Sequence, residues 1–262
     1  MNIIVCIKQV PGTNKVEVDP VTGVLKRSGV DSKMNPYDLY ALETALRIKA
    51  KVGGEVKVIT MGPPQAKAVI KEAFAMGAND GYLMTDRKFA GADVLATSFT
   101  LSQGVKMMGE YDLIICGKQT TDGDTAQVGP EMAEWLGIPS VSNVVKIDDV
   151  ADDAITLTME IPTAFEKAKI TYPCLISVEK DIFEPRLPSY IKKKATADKE
   201  IKEITYASLP KGNEGSYGLD GSPTQVQRIF PPVSDKKQEM WQGTGDELAT
   251  KICDKIKELK LV

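Results

Sequence analysis

The sequence predicts an α/β fold with a mostly parallel sheet covered by helices on both faces, ending in an extended arm. Three observations carry this. Short apolar runs alternate with longer segments striped at helical spacing, Gly and Pro punctuate nearly every junction, and the regularity stops near Glu184. With 262 residues, 42% of them hydrophobic, the chain can bury a sizeable core as one α/β domain with an appendage or as two small domains.

Taken in order, IIVCIK (3–8) reads as a buried strand and VEVDPVTGVLKR (16–27) as a small hairpin turned at Asp19 to Gly23. Asn35-Pro36 opens a helix, with Asn as N-cap and Pro at the first helical position; Leu39, Leu42, Ala45 and Leu46 mark its buried stripe. EVKVIT (55–60) is the next strand, turned at Gly62-Pro63-Pro64 into a helix striped by Ala66, Val69, Ile70, Ala73 and Phe74. DGYLMTD (80–86) is a third strand, Val94, Leu101, Val105 and Met108 mark a third helix, and YDLIIC (111–116) is a fourth strand. This βαβ series is what implies a parallel sheet. Beyond Pro139 come strands without helices between them: 140–147, 153–161 and KAKITYPCLISV (167–178), read as extending the sheet.

From Glu184 onward the segment 184–200 is rich in proline and lysine, and 207–242 has almost no periodicity. A structureless stretch of that length is unusual inside a compact domain, so it is either disordered or lies on another polypeptide. Its apolar Val226, Ile229, Phe230 and Val233 favour an arm that wraps a partner subunit. The capping box Thr244-Gly245-Asp246-Glu247 then opens a terminal helix striped by Leu248, Ile252, Ile256 and Leu259. The domain reading is therefore a nucleotide-binding α/β domain over 1–183 and a partner-docking loop and arm over 184–262.

Composition excludes much chemistry. The chain has no histidine, which removes the commonest general base, the commonest metal ligand and every Ser-His or Cys-His pair. Its four cysteines, Cys6, Cys116, Cys174 and Cys253, are far apart with no CxxC, against a zinc, iron–sulfur or disulfide framework. No metal site and no catalytic side chain is assigned, so redox chemistry would need an organic cofactor. A formal charge of −3 gives no basic excess for nucleic acid. MNIIVCIKQV lacks a basic n-region, and no later run approaches a bilayer-spanning length, so no membrane insertion and a cytoplasmic location are expected.

In an open α/β sheet, ligands bind beyond the carboxyl ends of the strands. Three such ends carry unusual loops: CIKQVPG (6–12) with Cys6 and Lys8, TMGPP (60–64) with Met61 and Gly62, and GKQTTDGDTAQVGP (117–130). Asn35, at its helix start, joins them. Gly117 and Gly123 let backbone amides approach a phosphate, and a helix beginning near Asp124 or Thr125 would aim its free N–H groups at the same anion. Thr120, Thr121 and Thr125 can donate to phosphate or ribose oxygens, whereas Asp122 and Asp124 suit amide capping or ribose hydroxyls, which fits a nucleotide better than inorganic phosphate. There is no GxGxxG and no P-loop, and a polar loop between strand and helix is ordinary. Lys8 reads either as a phosphate partner or as a solvated strand-end lysine.

Taken together, VCIKQVPGT (5–13), MNPYDLYALETAL (34–46), TMGPPQA (60–66), FAMGAND (74–80), GKQTTDGDTAQVGP (117–130) and EPRLPSYIKKK (184–194) resemble the electron-transfer flavoprotein beta subunits, over nearly the whole chain. The resemblance implies a Rossmann-like, adenine-nucleotide alpha-hydrolase-like core and an alpha-subunit partner that carries a mobile FAD and is wrapped by the C-terminal arm. One branch of that family holds AMP in the beta subunit. The other holds a second FAD, takes hydride from NADH and bifurcates the electrons between an acyl-CoA dehydrogenase or enoyl-CoA reductase and ferredoxin or flavodoxin. The loop here has Gly123 between Asp122 and Asp124 where AMP-type sequences tend to have a third acid, and with NPYDLYALE this resembles the bifurcating branch.

By resemblance the adenosine-diphosphate part of the cofactor contacts Cys6, Lys8, Asn35, Met61, Gly62, Gly117 and the loop residues Gln119, Thr120, Thr121, Asp122, Gly123, Asp124, Thr125, Ala126, Gln127 and Val128. Leu187, with Tyr190 and Ile191, matches a dehydrogenase-docking loop; the other reading of Leu187 is local packing against Tyr190. The family's arginine-acid-glycine cluster is replaced here by residues 158–165, so contacts assigned to that cluster do not carry over. Two alternatives stand beside the bifurcating reading: an AMP-binding beta subunit, and a stand-alone adenine-nucleotide sensor comparable to universal stress proteins.

Overall fold

The computed structural model describes residues 1–12, 32–227 and 238–261. The hairpin expected at 16–27 and the apolar residues Ile229, Phe230 and Val233 lie outside the described residues. The core strands are β1 (Asn2–Cys6), β4 (Glu55–Met61), β5 (Asp80–Met84), β6 (Leu113–Gly117) and β10 (Cys174–Val178); β2 (Gln9–Pro11) and β3 (Ser32–Met34) form a small antiparallel ribbon. Helices α1 (Pro36–Val52), α2 (Lys67–Met76), α3 (Val94–Met107) and α4 (Val128–Leu136) connect them. Strands β7 (Ser140–Val150), β8 (Ala154–Ile161) and β9 (Ala164–Thr171), helix α5 (Tyr190–Ala195), strand β11 (Lys202–Ile204) and helix α6 (Gly245–Glu258) complete the chain.

A nine-stranded sheet runs in the order β11-β5-β4-β1-β6-β10-β7-β8-β9 and is parallel except for the β7–β8 and β8–β9 pairs. Apolar residues fill both faces of the central strands, as a parallel sheet requires. Ile3 and Val5 pack with Leu42, Ala45, Val69 and Phe74 of α1 and α2, while Ile4 and Ile114 pack with Leu101, Val105 and Met132 of α3 and α4. From β1 the chain first moves outward through β4 and β5, then returns to place β6 on the other side of β1. The order therefore reverses between β1 and β6, whose Cys6 and Cys116 are register partners at the carboxyl edge.

Two stretches differ from the sequence expectation. KAKITYPCLISV is not one strand: β9 ends at Thr171, and after Tyr172-Pro173 the chain crosses the sheet so that β10 inserts between β6 and β7. The apolar run 174–178 is buried throughout, whereas β9 is mostly exposed at the antiparallel edge, so the two halves satisfy different environments. Regularity also does not end at Glu184. β11 pairs in parallel with β5, and Leu209 and Tyr217 are buried against Phe89 and Phe99, so the sheet unit recruits residues as late as Ser222. The terminal helix forms with its Thr244–Glu247 capping box, and it has no buried residue; Ile252 and Leu259 are exposed.

The segment after β10 is anchored by one ion-pair cluster. Glu43, buried on α1, accepts from Arg186 Nε (2.7 Å), Arg186 Nη2 (3.1 Å), the Arg186 amide (3.2 Å) and Arg47 Nε (2.8 Å). Burial pushes the Glu43 carboxyl up, but the hydrogen bonds from Arg186 and Arg47 outweigh it and hold the group below its ordinary value. Arg186→Ala removes two of these four hydrogen bonds, since the backbone amide remains, and the charge it removes is weakened by solvent because its side chain is 39% exposed. The expected loss is about 1–3 kcal/mol at neutral pH, below the full cost of orphaning a buried carboxylate. Since the folded group is depressed, this stabilisation is present above the unfolded carboxyl range and is lost on acidification through the folded value. Denaturant titrations of wild type and variant at neutral and acid pH check both the loss and its convergence.

Candidate functional site

The reversal of strand order leaves a crevice beyond the carboxyl ends of β1 and β6, the position at which open α/β sheets take ligands. Its first wall is the exit of β1. The Ile7 amide donates to the Ile59 carbonyl (2.9 Å), which carries the chain one step past β1, and the Lys8 carbonyl then accepts from the Asn35 amide (2.8 Å). The Lys8 amide donates to Asp38 Oδ2 (2.7 Å) in the first turn of α1. The β1 exit is thus bound to the start of α1 from both its donor and its acceptor.

The second wall is the loop after β6. Asn35 occupies the N-cap position with Pro36 at the first helical position, as expected, yet its side chain does not cap the helix. Asn35 Nδ2 donates to Asp38 Oδ1 (2.9 Å) and to the Gln119 carbonyl (2.9 Å), and Asn35 Oδ1 accepts from the Thr121 amide (3.2 Å). A fully buried amide therefore clamps the β6 loop onto α1. Gly117 is required at this junction by α1 itself: a Cβ there would lie 2.6 Å from Asp38 Oδ1 and 2.6 Å from the Tyr37 carbonyl carbon. The sequence reading gave that glycine to the ligand; the geometry gives it to helix packing.

Within the loop, the Gly123 amide donates to Thr120 Oγ1 (3.3 Å) and the Asp124 amide to the Thr120 carbonyl (2.8 Å), while Gln119 Nε2 bonds the Asp124 carboxylate. Asp124 and Ala126 adopt left-handed conformations, φ 54° and 57°. Two such residues prevent a helix from propagating, so α4 does not begin near Asp124 or Thr125 but at Val128, with Gln127 as N-cap. The consequence is chemical. Among the described residues, the amides of Thr125, Ala126, Gln127 and Val128 donate to no protein acceptor, and they lie at the positive end of the α4 dipole. Unpaired amides beside left-handed residues at a helix start are groups that an anion can engage.

Lys8 Nζ lies 2.6 Å from both Asp122 oxygens, bridging the two walls at the mouth of the crevice. Lys8 is therefore held in an ion pair while its side chain stays 42% exposed. Burial raises the Asp122 carboxyl, but its hydrogen bonds from Lys8 prevail and lower it. Cys6, Met61 and Val128 are partly buried on the α3/α4 face, with Cys6 Sγ 4.0 Å from Met132 Sδ, and form the apolar part of the crevice. Gly62 follows Met61 on the neighbouring strand, its amide bound to the Met84 carbonyl (3.0 Å). The Cys116 thiol is raised by its contact with Cys6, by burial and by the nearby Asp38, which leaves it no nucleophile. A cavity of about 340 Å³ lies elsewhere, between Leu95, Phe99 and Trp135 and the segments 215–216 and 220–223.

Leu187, Tyr190 and Ile191 lie away from the crevice, on the segment that Arg186 anchors, with the Ser189 amide bound to the Ala75 carbonyl at the end of α2 (2.9 Å). Leu187 is 87% exposed, so it does not pack locally against Tyr190.

The sequence reading missed Asp38 as a site residue. Its signal was present: four residues before Leu42 and seven before Ala45, it falls on the buried stripe of α1. The carboxyl is raised to about 7, chiefly by burial, against the hydrogen bonds from Asn35 and the Lys8 amide. A carboxyl that is higher when folded binds a proton that the unfolded chain has released, so stability falls as pH rises from the unfolded carboxyl range to about 7 and is level above it. Asp38→Asn removes this slope: the variant gains about 3 kcal/mol on wild type between about pH 5 and about pH 8, read by urea denaturation at each pH. Gly117→Ala, which drives a Cβ into backbone, costs about 1–3 kcal/mol at every pH in the same assay.

Comparison with known proteins agrees with this architecture. Residues 22–209 match the electron transfer flavoprotein domain. The chain is 43% identical over 258 residues to an electron transfer flavoprotein subunit beta of Thermoanaerobacterium thermosaccharolyticum, covering 98% of each chain, and equally so to that of Clostridium acetobutylicum. It is 41% identical, over the full length of both, to the Caffeyl-CoA reductase-Etf complex subunit CarD of Acetobacterium woodii. A family match over residues 22–209 and identity of this extent over nearly the whole chain place it in the electron transfer flavoprotein family, among its beta subunits.

Proposed function

We propose that the β1/β6 crevice binds the adenosine-diphosphate part of FAD and that the protein is the beta subunit of an electron-bifurcating flavoprotein. The observation that carries the reading is the run of amides from Thr125 to Val128, without a protein acceptor among the described residues, leading into α4 beside the point where the strand order reverses. A pyrophosphate would accept from those amides, with the helix dipole adding about 0.3–1 kcal/mol or more where partly buried. Cys6, Met61 and Val128 offer an apolar surface for an adenine ring, and Asp122 and Asp124 are acceptors for ribose hydroxyls. No step needs a histidine or another protein acid, because the bound flavin supplies hydride and single-electron chemistry with NADH as donor. The chain's own residues bind, orient and exclude water.

Gly123 in place of a third acid, and the relative named as part of a caffeyl-CoA reductase complex, support the FAD-binding form and a CoA-thioester reductase or acyl-CoA dehydrogenase as one electron acceptor, with ferredoxin or flavodoxin as the other. As a beta subunit the chain has an alpha subunit as its partner. In this reading Leu187, Tyr190 and Ile191 dock on the dehydrogenase, and the arm from Pro223 onward, with the uncovered stripe of α6, lies on the alpha subunit.

Purification of the two-subunit complex with quantification of released nucleotide tests the proposal. Two FAD per heterodimer and rapid bleaching of flavin absorbance by NADH are expected. One FAD with one AMP, and no response to NADH, would overturn it in favour of a structural nucleotide.

A further inference from the structure

Asp38 is a buried carboxyl in the first turn of α1, hydrogen-bonded to the β1 exit and to Asn35, and its surroundings are unusual. Both oxygens accept hydrogen bonds, one from the Lys8 amide and one from Asn35, and neither has a cationic partner within hydrogen-bond distance among the described residues. The charged groups facing it are Lys8 from the β1 exit and Asp122 from the β6 loop, and these neutralise each other; from β6 itself it faces the Cys116 thiol. Gly117 is packed so closely on Asp38 Oδ1 that no cation can enter from that side.

We propose that binding of an adenosine-pyrophosphate ligand in this crevice is coupled to uptake of one proton by Asp38, which acts as a positioning residue holding both walls of the site. The inference rests on the nucleotide reading of the crevice. Two effects act in the same direction. The ligand displaces the water that still solvates the crevice, and it brings negative charge to the amides beyond Asn35; each disfavours the Asp38 carboxylate relative to the neutral acid. The proton comes from solvent, adds to a carboxylate oxygen and leaves the other oxygen as an acceptor. In the free protein Asp38 already titrates near 7, so the ligand has to shift it only modestly for uptake to occur at neutral pH. With no histidine anywhere in the chain, no imidazole competes for this role.

The thermodynamic sign follows. A group that binds a proton more tightly in the complex makes the ligand bind more weakly as pH rises through the free group's titration. The probe is ADP-ribose, which carries the adenosine pyrophosphate with both phosphates esterified and so adds no ionisation of its own near neutrality. Calorimetric titration into the full chain, in two buffers of different ionisation heat, counts the protons directly. Net uptake of about half a proton between about pH 7 and about pH 8 is expected, with affinity about fivefold weaker at about pH 8 than at about pH 6. Asp38→Asn, and Asp38→Ser should the first variant not fold by circular dichroism, are expected to bind with no proton uptake and less than about twofold pH dependence, while Asp38→Glu restores the uptake. Wild-type binding without proton uptake, or uptake that survives in Asp38→Asn, would overturn the inference while leaving the nucleotide site intact. Failure of wild type to bind ADP-ribose at any pH would overturn both.

Discussion

The hydrogen bonds that join Asn35 and Asp38 to the β1 exit and the β6 loop are what the site depends on. Four backbone groups, the Lys8 amide, the Lys8 carbonyl, the Gln119 carbonyl and the Thr121 amide, are fixed by two residues at the N-cap and in the first turn of one helix. Without that link the two strand ends would be joined only by the exposed Lys8–Asp122 ion pair, because the sheet pairs β1 with β6 only as far as Cys6 and Cys116. The free amides of residues 125–128 owe their position to it, since the loop that presents them is held at Gln119 and Thr121.

The link is maintained at a cost. A carboxyl buried against Gly117 and Tyr37, without a cation, destabilises the fold at neutral pH, and a glycine is imposed at residue 117 so that α1 can come close enough. Such costs concentrate where binding or chemistry occurs, because selection for stability alone would remove them. Glu43 on the same helix shows the contrast. It is equally buried, yet two arginines satisfy it, and it serves as a structural anchor for the segment that displays Leu187.

The surface beyond the sheet divides by the same logic. Residues 202–222 give the sheet its last strand and cover α3 with Tyr217, so they belong to the core despite an irregular sequence. α6 has the stronger sequence pattern and the weaker structural support: its capping box forms, and the described residues bury none of its apolar stripe. A stripe of that kind is stabilised by burial against another surface, which in the function proposed above is the alpha subunit.

The sequence by itself determined the alternation of strands and helices through the first four βα units, the location of the polar loop after β6, and the capped terminal helix. Each of these depends on neighbours within one turn or one pleat, so the pattern of apolar residues and of Asn, Thr, Gly and Pro is enough to specify them. Only the tertiary structure decided that β10 inserts beside β6, that β11 joins the far edge, that Lys8 pairs with Asp122, and that Asn35 clamps a loop 84 residues away instead of capping its own helix. These are contacts between segments distant in the chain. Their partners compete with water and with local hydrogen bonds of similar strength, and only the packed sheet brings the distant groups close enough to prevail.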